Sequence, residues 1–275
     1  MSTINCKGTL IDLSTPKVMG IVNVTPDSFF DGGKLTNSDE IVVQVEKMLQ
    51  DGATFIDLGG YSSKPGAEFV SETEELNRVV PIVKLLVEKF PDILLSIDTF
   101  RSEVAKQTVE NGAAIMNDIS AGLLDEKMLE TVAKLQVPYI MMHMKGTPKT
   151  MQSLANYDDL LKEMNFYFSE RIAKARNFGL NDIIIDPGFG FAKTLEHNYE
   201  LLQNLELLQF HDLPILAGIS RKSMIYRTLD TKPENALNGT TFLHAFCLQK
   251  GANILRVHDV KEAVECVKLM CRLGN

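Results

Sequence analysis

Eight short apolar runs punctuate the chain, at 18–23, 55–59, 94–98, 115–118, 139–143, 183–186, 215–218 and 254–258, and each closes on a polar residue or glycine. Runs such as ILLSID and IIIDPG are too short for helices and rich in β-branched residues. They are also apolar on consecutive positions, the signature of parallel strands covered on both faces. The stretches between them carry helical periodicity. Eight strands alternating with helices predict an α/β protein of the (β/α)₈ TIM-barrel type, a single domain over residues 1–275. In that architecture the C-terminal ends of the strands form the active face, so Asn23, Asp98, Asn117, Asp186, Arg256 and His258 are expected to meet at one mouth.

Residues 3–14 read as an extended or hairpin segment placed to plug the barrel floor. Ser38 and Asp39 are expected to cap a helix over 40–50, Ser71 and Glu74 to form a capping box, and 102–110 to form a short amphipathic helix. The connections 23–36, 60–72, 143–156 and 186–197 each follow a strand, so all lie on the functional face.

Composition narrows the function. The 275 residues are 45% hydrophobic, enough for a closed core, and the ten prolines and 18 glycines are scattered without a linker. With 28 basic and 36 acidic residues the net charge is −8, and no basic stripe offers itself to a phosphate backbone, which argues against nucleic acid as a partner. No apolar run reaches the ~18 residues of a membrane span, and the N-terminal stretch lacks a signal-peptide pattern, so a cytoplasmic location is expected. Cys6, Cys247, Cys266 and Cys271 show no metal-type spacing and read as reduced thiols, Cys247 as a buried packing residue.

Asp98 and Asp186 end strands where packing alone would favour another apolar residue. Two carboxylates in one mouth could bind a metal, act as acid and base, or accept hydrogen bonds from a nitrogen heterocycle. Asn117 and Asp118 adjoin, so one of them must face away from the mouth. Arg221, Lys222 and Ser223 in GISRKSM stand where a helix begins, a place suited to an anion. Arg256 and His258 alternate along the last strand and suggest a second anion pocket of diphosphate size, the rival for Arg256 being a salt bridge at the rim. His143 ends a strand without revealing its direction. His197, His211 and His244 read as ordinary helix or loop residues. The segment NVTPDSFFDGG combines turn-forming residues with Phe29 and Phe30, which need something to cover, and so reads as a loop that closes over a ligand. GGYSSKPGAE has the same character.

The segments MGIVNVTPDSFFDGG, DLGGYSSKPGAE, SIDT, MNDISAG, DPGFGFAKT, ISRKSM and RVHDV, in this order, resemble the dihydropteroate synthase family over residues 18–260. The resemblance implies condensation of 6-hydroxymethyl-7,8-dihydropterin diphosphate with p-aminobenzoate, release of diphosphate, use of Mg²⁺, a homodimer, and competition by sulfonamides. Carried over by motif, Asp98, Asn117, Asp186 and Lys222 resemble the pterin-binding set, with Met142 and Phe191 lining the pocket. Asn23, Arg256 and His258 resemble the diphosphate site, and Asn23 the Mg²⁺ ligand. Thr25, Pro26, Asp27 and Phe29 match the first mobile loop, Ser63, Lys64 and Pro65 the second, and Ser223 the residue that receives the p-aminobenzoate carboxylate. The resemblance makes Asp98, Lys222, Arg256 and His258 the catalytic candidates. The family's second loop usually reads STRPG, whereas this chain has SSKPG; Lys64 keeps the charge of that arginine but not its planar fork.

The chemistry so implied is ionisation before attack. Mg²⁺, Arg256 and His258 would neutralise the leaving diphosphate, Asp98 would stabilise the cation on the pterin methylene, and the arylamine needs positioning more than a base. A pterin-dependent methyltransferase is disfavoured by the NVTPDSF and SRKSM segments, and a Schiff-base aldolase by Arg221 and Ser223 beside Lys222. A pterin-binding paralogue without synthase activity is the remaining alternative.

Overall fold

The computed structural model describes residues 3–24, 36–61, 70–147 and 150–274. Thr25, Pro26, Asp27, Phe29, Ser63, Lys64 and Pro65, all expected to act in loops, lie outside the described residues.

The chain opens on an antiparallel hairpin, β1 (Thr3–Cys6) and β2 (Thr9–Asp12). Eight parallel strands follow: β3 (Lys17–Asn23), β4 (Phe55–Gly59), β5 (Leu95–Asp98), β6 (Ile115–Asp118), β7 (Tyr139–Met142), β8 (Ile183–Asp186), β9 (Leu216–Ala217) and β10 (Ile254–Val257). They pair in the order β8-β7-β6-β5-β4-β3-β10-β9. The remaining seam closes through a parallel bridge between Ile185 and Ile215, so the sheet returns on itself as a barrel. The surrounding helices are α1 (Thr36–Gln50), α2 (Glu72–Lys89), α3 (Ser102–Glu110), α4 (Met128–Leu135), α5 (Leu160–Asn177), α6 (Leu195–Gln203), α7 (Ser223–Thr228), α8 (Leu237–Gln249) and α9 (Val260–Arg272). Among the described residues no helix is long and apolar enough to cross a membrane.

The strands are buried on both faces because each serves two cores. Outward-facing Val22, Leu58, Ile97, Met116, Met141 and Ile185 join the helix side chains in the main cluster. Inward-facing Met19, Phe55, Ile115, Ile140, Ile184, Leu216 and Ile254 fill the barrel floor with Ile4, Cys6 and Leu13 of the N-terminal segment. The hairpin therefore plugs the floor as expected, and the polar strand ends Asn23, Asp98, Asn117 and Asp186 lie at the opposite end.

Several boundaries differ from the sequence reading. Helix α1 begins at Thr36 rather than at residue 40, so Ser38 and Asp39 lie inside the helix instead of capping it. Ser71 does cap α2, accepting from Glu74 N at 3.2 Å, but the Glu74 carboxylate takes Arg78 Nε at 2.8 Å instead of closing a reciprocal box. Strand β9 is only two residues long, since Ile215 serves the bridge that closes the barrel. Strand β10 stops at Val257 because the next amide, His258 N, leaves the ladder for Ser220 Oγ at 3.2 Å.

Candidate active site

Strand register brings the polar residues together. Gly59 of β4 is level with both Asn23 of β3 and Asp98 of β5, and Asp98 is level with Asn117 of β6. Asp186 ends β8 opposite Met142. Arg256 reaches in from β10, held by Nε to Asp57 Oδ2 at 2.6 Å and by Nη2 to Asp98 Oδ2 at 2.8 Å.

Asp57 was not singled out in the sequence, yet it is the hub of this end of the barrel. It is wholly buried and accepts from Ser96 Oγ (2.6 Å), Asn117 Nδ2 (3.2 and 3.3 Å) and Arg256. The available signal was a lone carboxylate inside the apolar strand FIDLG, which cannot be buried without partners. A serine stood in the neighbouring strand run ILLSID. The pairing of Asp57 with Ser96 in register turns the two into one network.

The rim salt bridge weighed for Arg256 is thus present, and the arginine is not a lone cation. Two carboxylates share its charge and fix its plane, leaving this trio one negative charge when all are ionised. Burial lifts the Asp98 carboxyl to about 7, opposed by Arg256 and reinforced by Asp57. Burial likewise raises Asp186, against the pull of Lys222. Lys222 is lowered to about 8 by burial, which Asp186 resists. A cluster of buried carboxylates and amines with opposed shifts is the electrostatic mark of a functional cleft.

Asn117 and Asp118 divide as alternation requires. Asn117 faces the mouth through Asp57. Asp118 faces outward, where Oδ1 accepts from Ser120 N and Oγ, both at 2.7 Å, and Oδ2 from Gly122 N (2.7 Å) and Tyr139 OH (2.5 Å).

The turn after β8 sets apolar side chains beside Asp186 and Lys222. Asp186 Oδ1 accepts from Gly188 N at 2.8 Å, and Gly188 has φ +69° with no room for a Cβ against the His143 carbonyl, so only glycine fits. Lys222 donates a short hydrogen bond to Phe189 O and lies 4.9 Å from the Phe191 ring centroid. Met142 is buried with Ile119, Met144, Met151 and Ala192, and Phe191 packs against them. His143 points away from the mouth into the helix layer, its ring 4.8 Å from that of Tyr167.

At the next strand end Lys222 is the N-cap of α7 and Ser223 its first residue. Arg221 does not serve an anion site. It forms a bidentate pair with Asp259 (Nε to Oδ2, 2.7 Å; Nη2 to Oδ1, 2.8 Å) and donates from Nη1 to the carbonyls of Pro233 and Glu234. This pair locks the segment after β9 to the segment after β10. Ser220, also unforeseen, sits 3.1 Å from His258 Nδ1, so His258 is held through both backbone and ring.

The remaining histidines match expectation: His197 completes the α6 cap with Thr194, and His244 is buried within α8. All four cysteines are free thiols, Cys247 buried. Among the described residues no group of three or more His, Cys, Asp or Glu side chains forms a metal cage. Asn23, exposed at the end of β3, offers a single amide oxygen.

A (β/α)₈ barrel with carboxylates, an amide and a lysine gathered at one mouth is the architecture of an enzyme. The pterin binding enzyme family model matches residues 19–258. The chain is 45% identical to the dihydropteroate synthase of Escherichia coli K12 over 266 residues, 96% of this chain and 94% of that protein. It superposes on the Yersinia pestis dihydropteroate synthase in complex with a sulfonamide drug with a TM-score of 0.92, at 43% identity and 99% coverage of each. The Xanthomonas albilineans enzyme with 4-aminobenzoic acid gives 0.91 at 38% identity, covering 99% of this chain and 98% of that one. The chain belongs to the pterin binding enzymes and, within them, to the dihydropteroate synthases.

Proposed function

We propose that this transferase of folate biosynthesis condenses 6-hydroxymethyl-7,8-dihydropterin diphosphate with p-aminobenzoate, releasing diphosphate. The observation that carries the reading is the convergence of Asp98, Asn117, Asp186 and Lys222 at one mouth, in a chain that matches dihydropteroate synthases along nearly its whole length. Asp186 and Asn117 present acceptors and a donor to the edge of an aminopyrimidine, and Met142 and Phe191 cover its flat face. Lys222 adds a donor tied to the same turn. Asp98 stabilises the cation that develops on the pterin methylene as diphosphate departs, while Arg256, held between Asp57 and Asp98, and His258, held by Ser220, orient the diphosphate. Ser223 receives the p-aminobenzoate carboxylate. Thr25, Asp27, Phe29, Ser63, Lys64 and Pro65 complete the site. The arylamine attacks without a strong base because proximity supplies most of what that step needs.

Mg²⁺ fits this site in one manner only. The single amide oxygen of Asn23 suits an ion that keeps several waters and arrives on substrate phosphates, not one caged by protein. When bound it would neutralise charge on the diphosphate.

A cytoplasmic homodimer completes the proposal. Helices α8 and α9 pack together, and Phe242 on one and Leu269 on the other remain largely exposed, apolar area that a second copy would cover. By likeness to the complexed relatives, sulfonamides compete for the p-aminobenzoate position. The purified protein incubated with both substrates should form dihydropteroate and diphosphate in equal amounts. Pterin binding without product would favour a non-synthase paralogue.

A further inference from the structure

One buried ammonium in the mouth region has no part in that chemistry. Lys193 is almost wholly buried. Its Nζ contacts His143 Nδ1 at 3.0 Å, Gly188 O at 3.1 Å and Phe191 O at 3.1 Å. Three acceptors surround the Lys193 nitrogen and match the three protons of its charged form, which burial disfavours, lowering the group to about 7, and Asp186 supports. His143 is held well below the usual histidine range, first by burial and then by the neighbouring Lys193, and beside an ammonium, which can only donate, its Nδ1 is the acceptor.

The two carbonyls belong to the turn that shapes the pocket. Phe189 O, between them, receives Lys222, and the Phe191 ring lies against the same lysine. The turn is not a stable shape by itself: Gly188, Gly190 and Ala192 have φ of +69°, +81° and +48°, and the Ala192 value is uphill for a residue with a Cβ. Tyr157 OH to Ala192 O (2.9 Å) and Gly190 N to Asn198 Oδ1 (2.6 Å) pin its far edge. Lys193 is the only described side-chain cation that binds both ends of the turn from below.

We propose that Lys193 is a positioning residue for the pterin pocket: its Nζ, braced on His143, holds the 188–191 turn so that the Phe189 carbonyl and Phe191 ring fix Lys222. This rests on the reading of the mouth as a pterin site. Lys193 touches no substrate. Its loss frees the turn, and the first quantity to move is affinity for the pterin substrate.

The test compares the parent, Lys193→Met and Lys193→Gln by steady-state kinetics with each substrate in turn, by calorimetry of pterin binding and by thermal melting. Methionine keeps most of the apolar stem and removes every hydrogen-bond donor; glutamine restores two donors. The expected result is a pterin KM raised about tenfold or more in Lys193→Met, from the loss of charge-assisted hydrogen bonds, with KM for p-aminobenzoate and kcat within about threefold of the parent and Lys193→Gln intermediate. A folded Lys193→Met with parent-like pterin KM and affinity overturns the proposal. So does an equal rise in both KM values that tracks a lower Tm and is not recovered by glutamine, which is the signature of a merely structural lysine. If Lys193→Met does not fold, Lys193→Gln decides by the same criteria. A parent that neither turns over nor binds pterin counts against the proposed function; an active parent with an unmoved Lys193→Met counts against the positioning role.

Discussion

Arg256 Nε donates to Asp57 Oδ2 at 2.6 Å across the intervening strand, so the arginine's orientation is set from inside the barrel rather than by what binds at the mouth. A guanidinium fixed in this way is pre-organised: no side-chain ordering remains to be done when an anion arrives.

Asp57→Asn tests that arrangement. Both Asp57 oxygens face donors, from Ser96, Asn117 and Arg256, so an amide must turn its NH₂ toward one of them. Loss of a charged hydrogen bond in a buried network, worth about 1.5–3 kcal/mol, predicts a fall of roughly tenfold to a hundredfold in kcat/KM for the pterin substrate. Ser96→Ala should cost less, since one neutral donor is removed. Kinetics of both variants with circular dichroism as the folding control checks the order; equal effects would mean that Asp57 acts only through Ser96.

Asp98→Asn and Asp186→Asn should each weaken pterin binding by about tenfold or more while leaving the fold intact, because both side chains end strands at the mouth and not in the packed floor. Calorimetry with the pterin substrate measures this directly. Parent-like affinity in both variants would remove the proposed pocket.

The buried His244 predicts an acid limb in stability. Burial lowers it from 6.5 to about 4, only partly opposed by Asp259, and its Nε2 has no hydrogen-bond partner among the described residues. Between these values the unfolded chain binds a proton that the folded one refuses. Stability is therefore full above pH 6.5 and falls as pH drops toward 4, by about 3 kcal/mol for this group. His244→Leu should flatten that part of the profile. Urea titrations of both proteins across the interval measure it, and parallel profiles would show that His244 takes no part.

Lys64→Arg should leave turnover equal or improved, and Lys64→Ala should raise KM for p-aminobenzoate or lower kcat. The family's usual arginine offers paired hydrogen bonds that an ammonium cannot. Side-by-side kinetics of the three proteins settles the matter; an alanine variant like the parent would make Lys64 a bystander.

The barrel was legible in the chain because its determinants are local. A parallel strand covered on both faces must be apolar at successive positions, and a strand that ends at a functional mouth must stop on a polar residue. Hence Asn23, Asp98, Asn117 and Asp186 were legible as polar strand ends, and the N-terminal segment as the barrel floor. Partnership is a different kind of information. Nothing in FIDLG says that Asp57 meets Arg256, 199 positions away, nor in SRKS that Arg221 turns to Asp259 while Lys222 turns to Phe189. Nothing in GFGFAKT tells that Lys193 meets His143, Gly188 and Phe191, which only the folded turn sets around it. Charges choose partners by distance and burial, and both exist only once eight strands have closed. Sequence alone determined which strand ends carry polar groups to the mouth; the closed barrel added Asp57 and Ser220 to them and decided which residues hold the others in place.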